Sequence, residues 1–327
     1  MPNYELNIIR SHPTRIYSPI IKNEVTWTTG RQGEPGKLEF TIAKVNKQTD
    51  LLAFNEGDAV RFRVDGKDVF WGYVFTKKRN KDDHIEILAY DQLRYFKNKD
   101  SYSYVNKTAT QVLQMIAADF HLQTGSLENT KYVIPSRVED NQTLFDIIQN
   151  ALDETLQVTG NMYVLYDDFG KLCLRNSESM KVPYLICNST AENFDYQTSI
   201  DDETYNQIKL VYTDTEGGQS ISYIAKDSQK ISDWGLLQYY ETVNDPALLA
   251  EKAQALLNLY NRKTRKLSIE NAFGDLQVRA GSILPIHLYL GDIVANQYLM
   301  VEEAKHVFTM DAHLMSLTLT GSGRFIS

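Results

Sequence analysis

The 327-residue chain holds only two cysteines, Cys173 and Cys187. Two do not make a disulfide framework, and both sit in or beside predicted strands, so they read as free buried thiols of a protein from a reducing cytosol. Long apolar runs are absent too. None approaches the roughly 20 residues that a transmembrane helix needs. The N-terminal stretch MPNYELNIIRSHPTR lacks the apolar centre of a signal peptide. Positive charge is in deficit: 34 Lys and Arg stand against 42 Asp and Glu, a net charge of −8. Nonspecific binding to DNA or to an anionic membrane requires clustered positive charge, so this balance argues against both. It fits a surface or channel that repels polyanions.

Catalytic signatures are missing as well. There is no HExxH, no Gly-x-Ser-x-Gly elbow and no His near either cysteine. Asp168-Phe169-Gly170 spells a kinase magnesium motif, but neither a Gly-rich phosphate loop nor a His-Arg-Asp catalytic loop accompanies it, and it reads as a turn between two strands. Gly30 to Lys37 (GRQGEPGK) suggests a phosphate loop, yet the spacing is one residue too long and Leu38 stands where a Ser or Thr must meet magnesium. It reads as a mobile loop. Glu302, Glu303, His306 and His313 come nearest to a metal group. The two histidines flank a predicted hairpin and need not face each other, and Glu302 and Glu303 point to opposite faces of a strand, so all four read as solvated side chains. No catalytic, cofactor-binding or metal residue is assigned. A carboxylate pair for glycoside cleavage stays open, because such residues meet in space rather than in sequence.

What is present is β patterning. Hydrophobic residues make up 43% and charged residues 23%, a globular balance, and the length calls for two or three domains. Val60, Phe62 and Val64 alternate with Arg61, Arg63 and Asp65, the period of a half-buried strand. A pattern of strands occurs twice. Near the N-terminus it runs Lys37–Ile42, then the Gly57-led strand to Val64, an Asp65-Gly66 turn, Phe70–Phe75, an Asp83-His84 turn and Ile85–Leu88. Near the C-terminus it runs Lys266–Glu270, the Gly281-led strand to Leu288, a Leu290-Gly291-Asp292 turn, Tyr298–Val301, an Asp311-Ala312-His313 turn and a strand to Leu317. Residues 37–90 and 266–320 are therefore expected to be equivalent. The competing reading is two unrelated meanders that share turn chemistry.

Between the two copies the pattern turns helical. Thr108–Gln111 and Thr143–Asp146 carry capping patterns. Val112, Leu113, Ile116, Ala117 and Phe120 form one apolar stripe, and Leu144, Ile147, Ile148, Ala151 and Leu152 another. Strands are predicted at Tyr132–Ile134, Met162–Tyr166 and Lys171–Arg175. Further on, Tyr205–Tyr212 and Gln219–Ala225 read as a hairpin around Glu216-Gly217-Gly218. A helix is expected at about 245–262, with Asp245 as N-cap, Pro246 in its first turn and Arg262, Lys263 and Arg265 at the negative end of its dipole. The expected fold is α+β, mainly β. Residues 1–100 form a first β-barrel module, 101–187 an inserted α+β domain, and 188–327 a second β-barrel module with one helix. The 20 Tyr, 13 Phe and 3 Trp suit half-buried sheet faces and protein interfaces better than a sugar groove.

The run Glu86-Ile-Leu-Ala-Tyr-Asp-Gln-Leu-Arg-Tyr95, the Thr-x-x-Gln helix, Gly125–Tyr132, Asn141–Ile148 and Tyr163–Leu172 together resemble the XkdQ/YqbQ-like baseplate hub proteins of contractile phage tails and phage-tail-like bacteriocins. The resemblance spans essentially the whole chain and rests on element order rather than a catalytic signature. It implies a structural, non-enzymatic protein similar to the N-terminal part of type VI secretion spike proteins. Such a protein is a homotrimer in which each subunit gives two tube-like antiparallel β-barrels to a pseudo-sixfold ring. The implied partners are the tail tube or tube-initiator protein, the central spike protein and other baseplate proteins, with no cofactor, no specific nucleic-acid binding and no membrane segment. The implied location is the bacterial host cytoplasm during assembly and then the baseplate of the particle. Rival classes are a peptidoglycan hydrolase and a carbohydrate- or receptor-binding β protein of the same particle.

Overall fold

The computed structural model describes residues 3–43, 53–79, 81, 84–190, 193–201, 203–213, 220–243, 246, 249–289 and 294–321. The expected turn residues Asp83, Glu216-Gly217-Gly218 and Leu290-Gly291-Asp292, and the expected N-cap Asp245, lie outside the described residues.

The described strands up to Tyr90 form antiparallel sheet: β1 (Tyr4–Ser11), β2 (Thr14–Tyr17), β3 (Ile21–Gly30), β4 (Lys37–Ile42), β5 (Ala59–Val64), β6 (Lys67–Arg79) and β7 (Ile85–Tyr90). The period-two reading of β5 holds, with Val60, Phe62 and Val64 buried and Arg61 and Arg63 half-exposed. Asp65 and Gly66 take φ of 51° and 75°, the left-handed pair that a two-residue hairpin between β5 and β6 requires. Inward residues of these strands, Leu38, Phe40, Phe62, Phe70 and Ile87 among them, share one core.

A short 3-10 turn at Gln92–Lys97 leads into β8 (Lys99–Lys107), α1 (Ala109–Asp119), β9 (Thr124–Leu127), β10 (Ile134–Thr143), α2 (Leu144–Thr159), β11 (Tyr163–Asp167) and β12 (Leu172–Asn176). Both capping boxes form. Thr108 accepts from Gln111 N while Gln111 accepts from Thr108 N, and Thr143 and Asp146 do the same. The apolar stripes of α1 and α2 close a separate core with Tyr102, Tyr104, Leu172 and Leu174.

The remainder holds β13 (Ile186–Cys187), β14 (Asn193–Ser199), β15 (Gln207–Thr213), β16 (Ser220–Lys226), α3 (Ser228–Trp234), β17 (Gln238–Val243), α4 (Leu249–Tyr260), β18 (Thr264–Phe273), β19 (Ile283–Tyr289), β20 (Val294–Thr309) and β21 (His313–Gly321). The β15–β16 hairpin is antiparallel as expected, but β17 adds to it in parallel through α3, and α4 covers the resulting three-stranded sheet with its own core. Sequence patterning did not show that addition. Among the described residues α4 spans Leu249–Tyr260. At its C-terminal end Arg262 donates to the Leu259 carbonyl, as the helix dipole favours.

The two repeated units share pairing order. In the first, β4 pairs β7, β7 pairs β6 and β6 pairs β5. In the second, β18 pairs β21, β21 pairs β20 and β20 pairs β19. The register shift between Val74 and Thr76 has its counterpart between Val301 and Glu303. The Gly-led starts match atom for atom. Gly57 N donates to Val74 O and Val74 N to Asp58 O, while Gly281 N donates to Val301 O and Val301 N to Ser282 O. Asp58 Oδ2 accepts from Asn55 N and Ser282 Oγ from Arg279 N, each three residues back. Unrelated meanders with similar turns would not reproduce both the bulge and this knot.

The expected pair of barrels takes a different form within one chain. The two units join edge to edge into one 13-stranded sheet, in which β20 pairs β3 from Glu303↔Gly30 to Thr309↔Glu24. Among the described residues no ring of ladders closes.

The matched glycines carry a prediction. Gly57 and Gly281 have φ of +89° and +88°, but a Cβ on Gly57 meets nothing within 4 Å, whereas one on Gly281 lies 2.6 Å from Val164 Cγ1. Gly57→Ala should cost about 1–2 kcal/mol from backbone conformation alone. Gly281→Ala should lose roughly a further 1–3 kcal/mol from overpacking against β11. Urea unfolding of the two variants measures the difference, and equal losses would contradict the packing described.

Candidate functional site

The seam between the two sheet units is also where the helical part docks, and the buried polar residues Thr26, Thr28, Thr29, Asp91, Asp167 and His306 lie along it. Trp27 and Thr29 of β3 face the start of the second unit. Trp27 stacks on His306 with centroids 5.0 Å apart, and Thr29 Oγ1 accepts from Ala280 N at 3.0 Å. The Asp167–Gly170 turn reaches over the seam from β11. Phe169 packs edge-on against Trp71 at 5.7 Å, and Gly170, at φ +83°, leaves no room for a Cβ, which would lie 2.6 Å from Trp71. The Asp168-Phe169-Gly170 tripeptide is the turn that its place between two strands suggested, and it docks on Trp71.

Three ionisable groups meet beneath that turn, one from each part of the chain. Asp91 follows β7, is buried, and accepts from Gly36 N and Leu93 N at 2.9 Å each. Asp167 ends β11 and accepts from Gly170 N at 2.7 Å. Arg279, from the knot before β19, donates to the Asp167 carbonyl at 2.6 Å and lies over the Tyr166 ring at 4.1 Å. Burial, and then the neighbouring Asp167, push the Asp91 carboxyl well above the usual carboxylate range. Burial pushes Asp167 up to about 6, with the Gly170 and Gln92 hydrogen bonds and Arg279 working the other way. A cleft lined by Trp71, Tyr73, Tyr95 and His121 reaches Gln92 and Gly170 beside this group. The geometry of the group clamps three segments together.

The histidines correct an expectation. His306 is fully buried rather than solvated, and His306 Nδ1 lies 2.9 Å from His313 Nε2. The β20–β21 register pairs His306 with Met315 and Phe308 with His313, which makes the two imidazoles diagonal neighbours. His306 Nε2 lies 2.9 Å from the Val278 carbonyl, so it carries the proton, and Nδ1 then accepts from His313. Burial, reinforced by the other imidazole, pulls His306 down to about 3, and burial pulls His313 down to about 4. Glu302 is committed to Arg31 at 2.7 Å and to Thr320 at 2.6 Å, and Glu303 is exposed. The four residues do not converge.

Two further readings change. The Gly30–Lys37 loop is anchored at both ends, by Arg31 N to Glu302 O at 2.9 Å and by Asp91 on Gly36, where a Cβ would lie 2.4 Å from the carboxylate. Cys173 is buried, but Cys187 is half-exposed, and a hydrogen bond with Ser189 helps to lower its thiol to about 7. No sequence signal marked Asp91 or Arg279, because their partners lie in other elements. The tryptophans make no exposed row: Trp27 is buried, Trp71 lies under the docking turn, and Trp234 lies beneath Lys230.

The family model for YQBQ-like proteins matches residues 25–320. The chain belongs to the YQBQ-like family. It is 33% identical over 305 residues to the phage-like element PBSX protein XkdQ of Bacillus subtilis (strain 168), covering 91% of this chain and 92% of that one. The fold is similar to the tail protein from Neisseria meningitidis MC58, at a TM-score of 0.71 and 12% identity, covering 99% of this chain and 98% of that one. It is also similar to the E. coli c3393 protein, described as a type VI secretion component that resembles the T4 tail proteins gp27 and gp5. That match has a TM-score of 0.54 and 12% identity, and covers 99% of this chain and 78% of that one. No helix among the described residues is long and apolar enough to cross a membrane.

The clamp predicts a pH profile. Raised carboxyl pKa values mean that the folded state binds protons more tightly than the unfolded chain, so Asp167 makes stability fall as pH rises from about 4 to about 6. The two histidines act oppositely, since stability is lost as pH falls below their unfolded value near 6.5. Asp167→Asn removes one component. Its stability should rise more steeply with pH between 4 and 6 than the parent's, by on the order of 2 kcal/mol across that window. Unfolding curves at stepped pH measure this, and identical slopes would contradict the clamp.

Proposed function

We propose that this chain is a structural baseplate hub protein of a contractile injection system, a phage tail or a phage-tail-like bacteriocin. Three copies form a pseudo-sixfold ring that joins the hexameric tail tube to the trimeric central spike. The observation that carries this reading is the pair of sheet units with the same pairing order, bulge and Gly-led knot. Three copies offer six equivalent positions to the tube and three identical chains to the spike. Tube-like barrels then close between neighbouring units rather than within one. The fixed seam between the units supports it, since an adaptor must hold its two copies at a constant angle. The family relative from a phage-like element and the likeness to tail and secretion-spike folds support the setting.

In this reading residues 101–187 lie outside or below the ring. The chain acts without chemistry of its own, in the host cytoplasm during assembly and then in the particle. Its partners are its own copies, the tube or tube-initiator protein, the spike and other baseplate proteins.

Cryo-electron microscopy of assembled particles tests it. Three copies around the tail axis between tube and spike are expected, whereas six copies, or a place on a peripheral fibre, would contradict the proposal. The deficit of positive charge sets a second expectation. Duplex DNA should not bind the purified protein tightly at physiological salt, and tight, salt-sensitive binding would count against an acidic or neutral lumen.

A further inference from the structure

The seam inside the chain is a template for a contact between chains. β20 does two jobs along one edge: its first half pairs β19, and its last residues, from Glu303, pair β3. β6 is its counterpart. Its first part pairs β5 in the same way, but beyond the bulge at Phe75 the residues Thr76–Arg79 have no strand on that side among the described residues. β3 likewise has a counterpart. It lies against β4 as β14 lies against β18, with Trp27 opposite Leu38 and Tyr196 opposite Leu267. β3 is covered by β20, whereas β14 is an outer edge of the sheet.

Burial marks both edges as unfinished. Ala304 and His306 are buried where their counterparts Lys77 and Arg79 are half-exposed and exposed. Thr26, Thr28 and Thr29 are buried where Asp195, Gln197 and Thr198 are exposed. An open edge with a row of unpaired backbone groups is a site for strand addition. Lysines on an edge ordinarily repel a second copy of that edge. Here Lys77, Lys78 and Arg79 disfavour β6 against β6, and Asp195 disfavours β14 against β14, while the two unlike edges attract.

We propose that Thr76–Arg79 of β6 pairs antiparallel with β14 of a second copy of this chain, in the register of the β20–β3 seam. Transferring that register sets Thr76 opposite Ser199, Lys77 opposite Thr198, Lys78 opposite Gln197 and Arg79 opposite Tyr196. The Arg79 guanidinium then meets the Tyr196 ring where His306 meets Trp27, and Asp195 falls just past Arg79. Each chain uses one edge of each kind, so the contact is heterologous and propagates around a ring. The pairing rests on the hub reading for its number of copies and on the internal seam for its register.

Disulfide trapping in assembled particles tests it. The double variant Lys78→Cys with Gln197→Cys should give covalent dimers and trimers on a non-reducing gel, with trimer as the limit. The single variants control for Cys173 and Cys187, and also show that particles still assemble. The displaced pair Lys78→Cys with Asp195→Cys should cross-link at least several-fold less. A ring of three copies in which the matched pair stays uncrosslinked, or trails the displaced pair, overturns the strand pairing and leaves the hub reading intact. Particles without a ring of three overturn both.

Discussion

Everything else in this chain depends on the pairing of β3 with β20. It joins residues far apart in sequence, from Glu24↔Thr309 to Gly30↔Glu303, and so turns two separate meanders into one sheet. Such a contact must offset a large loop-closure entropy, and it does so with more than ladder hydrogen bonds. Trp27 stacks on buried His306, Thr29 accepts from the Gly-led knot, and Arg31 reaches Glu302. The Asp91, Asp167 and Arg279 group then fixes the helical part across the same line. Of its three members only Arg279 favours the ionised carboxylates, so removing Arg279 would push both buried carboxyls further up.

Legibility followed locality. Strands with period-two alternation, such as Val60–Val64, were evident, because one sheet face is wet and the other is not. Both capping boxes were evident, because the chemistry is complete within four residues. The repeat was evident in its Gly-led strands, since Gly57 and Gly281 occupy conformations that other residues adopt at a cost. What stayed hidden needs partners distant in sequence. The exposed appearance of His306 dissolved once β21 placed His313 beside it. The parallel addition of β17 depends on a crossover through α3 with no repeat to announce it. The GRQGEPGK segment resembled a free loop because its anchors, Glu302 and Asp91, lie elsewhere in the chain.

Two units matched in pairing order and joined along one ladder are suited to transmitting geometry. The seam converts one chain into two positions related by a fixed operation. In the proposed ring, the same operation applied at the chain's open edges generates the further positions that a threefold object needs to present a sixfold face. The XkdQ relationship, spanning nine-tenths of both chains, places the proposal among proteins of phage-like elements.

The central claim is that both units and their seam form one rigid body. Native-state hydrogen exchange of the full chain measures it directly. The account predicts that the ladder amides of Glu24–Gly30 and Glu303–Thr309 exchange only with global unfolding, at the free energy found for the β4–β7 and β18–β21 ladders. Faster exchange at the seam, while both flanking ladders stay protected, would show two hinged halves and contradict it.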